Sequence, residues 1–303
     1  MLAHASALSS AMDGQLILIR VLAPHFDNDL PPDPVEWEAQ RREAGSALAR
    51  MVERAGVDAQ IVLTEGRPVA EICHEAERRG AEFIVIGRFG EGVEDGDCAV
   101  GMGATTRAVL ERARGKVLLV PEDDQCAPNY RRILVPLDGS CWAESAQPTA
   151  TRIARSTGAG VVLVQVVTPP EFVCPTPPEP GDAELRERII DRNNRAARGY
   201  LERQRGVLAE QGVVVRTQVI GGTDPRHRLL ELTREETFDL VVLSARGSGF
   251  RHLPGLHFGS VAAHLSLHSA TPLLIVRSDT DVSQRTGARQ AVATAPARAA
   301  LHA

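Results

Sequence analysis

The sequence predicts two doubly wound α/β domains in tandem, each built on a parallel sheet. Three observations carry this reading: an internal repeat over most of the chain, short β-branched apolar runs alternating with helix-period segments, and glycine-bearing turns directly after those runs.

The repeat comes first, because it sets the domain organisation. The stretch 66–90 (GRPVAEICHEAERRGAEFIVIGRFG) matches 223–247 (TDPRHRLLELTREETFDLVVLSARG), with Pro68 on Pro225, Glu82 on Asp239, Ile86 on Leu243 and Gly90 on Gly247, each 157 positions apart. Upstream, 16–24 (LILIRVLAP) matches 161–169 (VVLVQVVTP); downstream, 103–120 (GATTRAVLERARGKVLLV) matches 259–276 (GSVAAHLSLHSATPLLIV). Three segments in one order mark a duplication. The expected division is a first copy over 1–121, a linker over 122–130, a second copy over 131–277 and a disordered tail over 278–303, which holds few large apolar residues.

The second copy reads in order. RRILVPLDGS (131–140) is a short strand ending at an Asp-Gly turn. CWAESAQPTATRIARSTG (141–158) has helical apolar spacing, with Pro148 placed in its first turns. GVVLVQVV (160–167) is a continuous apolar run, as expected of a strand covered on both faces. A long helix over 183–212 stops at Gly212. A third strand (213–222), a helix opening near Pro225, a fourth strand (FDLVVLSA), a helix (GSVAAHLSLHSA) and a fifth strand (272–276) follow. Strands alternating with helices imply a parallel sheet in the order 2-1-3-4-5 or 3-2-1-4-5. Ligands then bind beyond the carboxyl ends of the strands, where the order reverses.

The first copy is incomplete. With the 145-residue offset that aligns the next strand, the counterpart of Asp138 falls ahead of Met1, so the chain opens inside the expected first helix, MLAHASALSSAM. Loss of a central strand leaves backbone groups unpaired. We expect either a true start upstream or a degraded scaffold. PPDP (31–34) and PTPPEPGD (175–182) read as spacers ahead of long helices.

Composition excludes several classes. A net charge of −5 leaves no basic excess for nucleic acid. No apolar run is long enough for a membrane span, and the N-terminus does not read as a signal peptide, so the expected location is the cytoplasm. The five cysteines form no C-x-x-C pair and fit neither a disulfide framework nor a zinc ribbon.

The residues that carry chemistry cluster in the second copy: LVPLDGS after its first strand, LSARGSG after its fourth, and FGS opening the next helix. Gly247 and Gly249 permit tight turns and close backbone approach. Gly259 and Ser260 open a helix whose free N–H groups favour an anion. Asp138 ends a central strand and can accept hydrogen bonds from a ribose or base.

This pattern resembles the universal stress protein family and its nucleotide-binding branch, and the chain is similar to a tandem two-domain member. The resemblance spans nearly all of 131–277 and, more weakly, 14–121. It implies a flavodoxin-like (Rossmann-like, adenine nucleotide alpha hydrolase-type) fold. In that branch the fourth strand is followed by G-x-x-G, nine residues, then G-[ST]. The resemblance implies ATP or another adenine nucleotide as ligand, with or without Mg, held by Asp138, Val166 (backbone, toward adenine), Ser244, Gly247, Gly249, Gly259 and Ser260. It also implies a stress-response role and an intramolecular pseudo-dimer through 117–120 and 272–276, with further homodimerisation open. Two departures stand out. Ser244 occupies the first Gly position, and eleven residues rather than nine separate Gly247 from Gly259.

The first copy keeps Gly87 and Gly90, but Ala104 replaces the helix-opening Ser, and Glu91, Glu94, Asp95 and Asp97 would repel phosphate. It reads as non-binding. His264 and His268, with His252 and His257 before them, read as surface histidines rather than a metal site. Ser140 and Cys141 show no nucleophile–base pairing, so no catalytic residue is assigned. Trp37 and Trp142 read as packing residues. The leading function is a non-catalytic, nucleotide-responsive protein. The alternatives are a nucleotide-independent scaffold or interaction module, and a slow ATPase.

Overall fold

The computed structural model describes residues 1–23, 33–89, 101–122, 128–170, 181–248 and 258–277. Gly90, Gly249, the acidic stretch 91–97, His252, His257, the tail 278–303 and the spacer residues 31–32 and 175–180 lie outside the described residues.

The first copy contains α1 (Leu2–Ala11), β1 (Leu16–Leu22), α2 (Pro34–Ala55), β2 (Ala59–Glu65), α3 (Pro68–Arg78), β3 (Phe83–Gly87), α4 (Ala104–Arg112) and β4 (Lys116–Val120). The second contains β5 (Arg132–Pro136), α5 (Cys141–Glu144), α6 (Gln147–Thr157), β6 (Gly160–Val167), α7 (Asp182–Glu210), β7 (Val215–Gly221), α8 (Pro225–Glu235), β8 (Leu240–Ser244), α9 (Ser260–His268) and β9 (Leu273–Val276). Local signals set the boundaries. Asp224 caps α8 by accepting the Arg226 N–H at 2.8 Å, with Pro225 in the first turn. Gly158, at φ 72°, ends α6 in the left-handed region. The single helix expected over 141–158 is instead two, α5 and α6. Pro148 supplies no N–H and its ring crowds the preceding turn, so the helix restarts just ahead of it.

β5 lies in the interior of a seven-stranded sheet of order β3-β4-β9-β8-β5-β6-β7, at the middle of the second copy's five strands. The second copy's five strands are all parallel, in the expected 3-2-1-4-5 arrangement. Alternate residues of β5 feed opposite cores. Ile133 and Val135 pack with Ile153, Leu163 and Leu201, whereas Leu134 packs with Val164, Leu229, Val241 and Leu265.

The copies meet through their last strands. β4 and β9 pair antiparallel, Val117 opposite Ile275, Leu118 opposite Leu274 and Leu119 opposite Leu273. This is the intramolecular pair expected from the sequence. Across the seam, the Arg88 guanidinium donates to the Ser269 carbonyl beyond α9, and the Arg277 guanidinium donates to the Leu110 carbonyl near the end of α4.

The described strands of the first copy are divided between two sheets. β1 and β2 form a separate two-stranded parallel sheet, while β3 and β4 belong to the large one. Residues 161–164 of β6 are at most 6% exposed, but their repeat counterparts 16–19 are only partly buried. α1 packs instead against the second copy. Leu8 joins the core cluster of Ala150 and Ile153, and His4 Nδ1 lies 3.0 Å from the Tyr130 hydroxyl. Arg152 on α6 reaches Glu82 at 2.7 Å and adds a further link.

The seam is a core feature, not a surface contact. Leu118→Ala removes a side chain that is 0% exposed. It should destabilise the chain by about 2–5 kcal/mol, read as a lower urea midpoint, whereas Val35→Ala at an exposed position should leave the midpoint unchanged.

Candidate nucleotide-binding cleft

The carboxyl ends of β5, β6 and β8 and the start of α9 enclose one cavity of about 250 Å³. Asp138, Val166, Ser244, Gly247, Gly259 and Ser260 all line it. The structure thus brings together every sequence-derived site residue that is described; Gly249 lies outside the described residues.

Asp138 organises the mouth. One carboxylate oxygen accepts the Ser140 N–H at 3.0 Å and its hydroxyl at 2.6 Å; the other accepts the Ser248 N–H at 2.6 Å. Burial pushes its pKa up, but the hydrogen bonds from Ser140 and Ser248 outweigh it and hold the carboxyl below its ordinary value. Asp138 therefore ties the loop after β5 to the loop after β8. This explains Gly247. A Cβ there would sit 2.5 Å from the bonded carboxylate oxygen, so any side chain would displace it.

α9 presents its start to the cavity. Its N-cap is Gly259, which supplies no capping side chain, and Ser260, Val261 and Ala262 all line the cavity. Gly259 itself donates to the Ala245 carbonyl at 2.7 Å, which draws the helix start against the loop after β8. Orphan N–H groups and the helix dipole favour an anion at this position.

Val166 offers backbone. Leu137 N–H donates to the Val164 carbonyl at 2.8 Å, and Gly222 N–H donates to the Val167 carbonyl at 3.3 Å. Even-numbered residues of this stretch of β6 therefore point their N–H and C=O toward β5, and odd-numbered ones toward β7. The β5–β6 pairing ends at Pro136 opposite Val164. The Val166 backbone edge consequently faces past the end of β5 into the cavity.

Ser244, in place of the family's glycine, is accommodated. It is 6% exposed, and its hydroxyl accepts from the Arg246 N–H at 3.3 Å and the Ser145 hydroxyl at 3.4 Å. Arg246 itself was missed by the sequence reading. It lines the cavity at 6% exposure, with its guanidinium 5.6 Å from the Trp142 ring centroid. A cationic residue inside the S-A-R-G turn, close to a helix N-terminus, was the available signal. Trp142 is a packing residue that carries this cation.

The first copy repeats the backbone bonds of the turn. Arg88 N–H donates to Val120 at 3.0 Å and Gly103 N–H to Arg88 at 2.9 Å, as Ala245 N–H does to Val276 at 2.7 Å and Gly259 N–H to Ala245. A bulky Arg88 stands where the second copy has Ala245, and β1 is not in the sheet of β3.

One histidine differs from expectation, while His268 is exposed as expected. His264 is not a plain surface residue. Its ring lies 4.7 Å from that of His227 and 4.6 Å from that of His268, and its Nε2 is buried without a hydrogen-bond partner among the described residues. No group of three or more His, Cys, Asp or Glu among the described residues could hold a metal ion. No helix among them is long and apolar enough to cross a membrane.

Comparison with known proteins agrees with this picture. The model of the universal stress protein family matches residues 1–121 and again 129–277. A universal stress protein of Mycolicibacterium smegmatis is 30% identical over 287 residues, covering 89% of both chains. The Bacillus subtilis universal stress protein YxiE is 31% identical over 153 residues, 49% of this chain and 99% of its own. Among solved structures, a universal stress protein from Archaeoglobus fulgidus superposes with a TM-score of 0.62 at 20% identity, covering 91% of this chain and 95% of its own. A Pseudomonas aeruginosa putative universal stress protein gives 0.63 at 15% identity, covering 95% and 92%. These two establish the fold.

The Asp138–Gly247 contact is testable without ligand. Gly247→Ala should cost about 1–3 kcal/mol by displacing the hydrogen-bonded carboxylate, seen as a lower melting temperature. In an Asp138→Ala background the same substitution should cost much less, and strict additivity of the two changes would refute the contact.

Proposed function

Because the chain belongs to the universal stress protein family, we propose that its second copy is a non-catalytic adenine-nucleotide site, with ATP as ligand, in a stress-response regulatory protein. The observation that carries the reading is the convergence of three recognition elements on one cavity. These are the uncapped start of α9 for phosphate, the free Val166 backbone edge for a base, and Asp138 for a ribose hydroxyl.

The residues fit such a ligand. The backbone donors, the Ser260 hydroxyl and the Arg246 cation are complementary to phosphate. The apolar wall of Leu137, Val164, Leu229 and Leu243 suits a purine face. Asp138 is already bonded to Ser140 and Ser248, so a ribose hydroxyl reaches it by replacing a serine hydroxyl, an exchange of like for like. Mg would accompany the phosphates and keep several of its waters. A carboxyl held below its ordinary pKa is a weak general base, which argues against ATP hydrolysis as the main task.

The same self-satisfied carboxylate favours a second reading. A cleft whose acid is bonded internally is stable empty, as a nucleotide-independent scaffold requires.

Calorimetric titration with ATP and Mg, repeated with ADP and AMP, separates the two. We expect saturable binding at one site per chain. Ser260→Ala should weaken it roughly 2- to 12-fold, the range of one net hydrogen bond of about 0.5–1.5 kcal/mol. Asp138→Ala should weaken it more, since the loop after β8 loses its anchor as well. No heat and no thermal stabilisation from a folded, ligand-free sample would leave the scaffold reading standing.

A further inference from the structure

α8 and α9 both wall the cleft, through Pro225 and Leu229 on one side and Ser260, Val261 and Ala262 on the other. Away from the cavity, the two helices are joined by imidazoles. His264 on α9 sits between His227 of α8 and His268 one turn further along α9, with ring centroids 4.7 and 4.6 Å apart. We propose that these three histidines form a proton-sensitive clasp between α8 and α9 that loosens the wall of the cleft as pH falls. Its effect on ligand affinity rests on the nucleotide reading above; the clasp itself does not.

Neutral imidazoles pack as aromatic rings, and one tilted or edge-on contact is favourable. A proton on His264 changes the balance three ways. Its buried Nε2 has no acceptor among the described residues, so a donor there would be unsatisfied. The charge would be partly desolvated. It would also face other cations at contact range. Among the described residues, the charged and titratable groups that act on it are His227, Arg226 and Asp224 from α8 and its cap, and His268 from α9. Asp224 is the anion of that set, and it already faces Arg226 at 2.6 Å and His227 at 4.0 Å. Burial first, then His268, His227 and Arg226, hold the His264 pKa below its ordinary value, and Asp224 only partly opposes them.

The direction follows from linkage. An opened clasp takes up its proton near the ordinary histidine pKa of about 6.5, while the closed clasp resists until lower pH. The closed form is thus fully favoured above that pH and is lost as pH falls through it. A phosphate at the start of α9 would act oppositely, attracting the proton. It would lie about 6 Å along the axis from His264, one helical turn, toward the solvent-exposed mouth where charge is screened. The ring contacts are closer and drier, so opening wins.

The test uses the full chain without ligand first. Amide hydrogen exchange in α8 and α9, corrected for its intrinsic pH dependence, should rise between pH 7.5 and 5.5 relative to the amides of β5 and β6. His264→Phe, which keeps a packed ring and removes the proton site, should flatten that rise. No rise in the unaltered protein, or an equal rise in the variant, would overturn the clasp. Should His264→Phe fold poorly, His227→Gln removes an exposed neighbour. It should move the His264 titration midpoint upward by NMR, and an unmoved midpoint would count against the clasp.

ATP affinity is then measured at both pH values in both proteins, which cancels the titration of the phosphates themselves. The unaltered chain should weaken ~3- to 10-fold more than His264→Phe, within the limit of tenfold per pH unit for one linked proton. Equal pH dependence would overturn the coupling to the cleft. Exchange that responds to pH in a chain that binds no ATP at either pH would support the clasp and defeat the nucleotide reading instead.

Discussion

Backbone pairing along both edges of β5 is the constraint on which the second copy depends. β5 pairs with β6 on one side and β8 on the other, and its inward side chains Ile133, Leu134 and Val135 are all fully buried. A strand so placed has no edge for water, so its N–H and C=O groups must find partners in the sheet. It also sits where strand order reverses. The chain leaving β5 and the chain leaving β8 therefore run to opposite faces, and the space between them is the cleft. Asp138 bridges that divergence by bonding the Ser248 amide at 2.6 Å. Site and sheet are thus consequences of one placement.

The first copy is the complementary case within the same molecule. It retains counterparts of β6, β7, β8 and β9, yet with no described strand in the place of β5 they do not form one sheet. β3 and β4 are held by the seam with β9, and α1 by α6 and Tyr130. β1 and β2 retain each other and partial burial only. Similar apolar sequence thus gives full burial at 161–164 and incomplete burial at 16–19. Hydrophobicity alone did not decide the outcome; a partner for each backbone edge did.

Most of the fold was legible because its signals are local or periodic. The 157-residue repeat, the runs in β5, β6 and β8 and the glycine stops each reside within a few residues of their effect. The convergence of the candidate residues on one cleft was legible for a related reason, since a doubly wound sheet forces the residues after its strands to one end. What escaped depends on distant partners. Arg246 is a buried cation beside Trp142, which lies over a hundred residues earlier in the chain. His264 was read as a surface residue because His227 is far from it in sequence, and only the packing of α8 on α9 joins them. The saturation of Asp138 by Ser248 is likewise tertiary. The break between α5 and α6 is different in kind: Pro148 announced it, and helical periodicity outweighed a steric rule that should have prevailed.

The two copies also differ at one position in a way that assigns them different mechanical roles. In the second copy the residue after β8 is Ala245, 1% exposed, small enough for Gly259 to close against its carbonyl. In the first it is Arg88, whose backbone makes the equivalent bonds but whose side chain crosses the seam to the carbonyl at the far end of α9. Arg277 does the same for α4. A cation at a helix C-terminus satisfies an orphan carbonyl and complements the negative end of the dipole. α9 is therefore anchored at its C-terminus by the first copy and along its flank by the histidines, while its N-terminus, which no side chain caps among the described residues, faces the cleft. A helix held in this way at its far end meets part of the ordering cost of its N-terminus before any ligand arrives. The first copy thus contributes to the cleft from across the seam: it holds the helix that the second copy presents there.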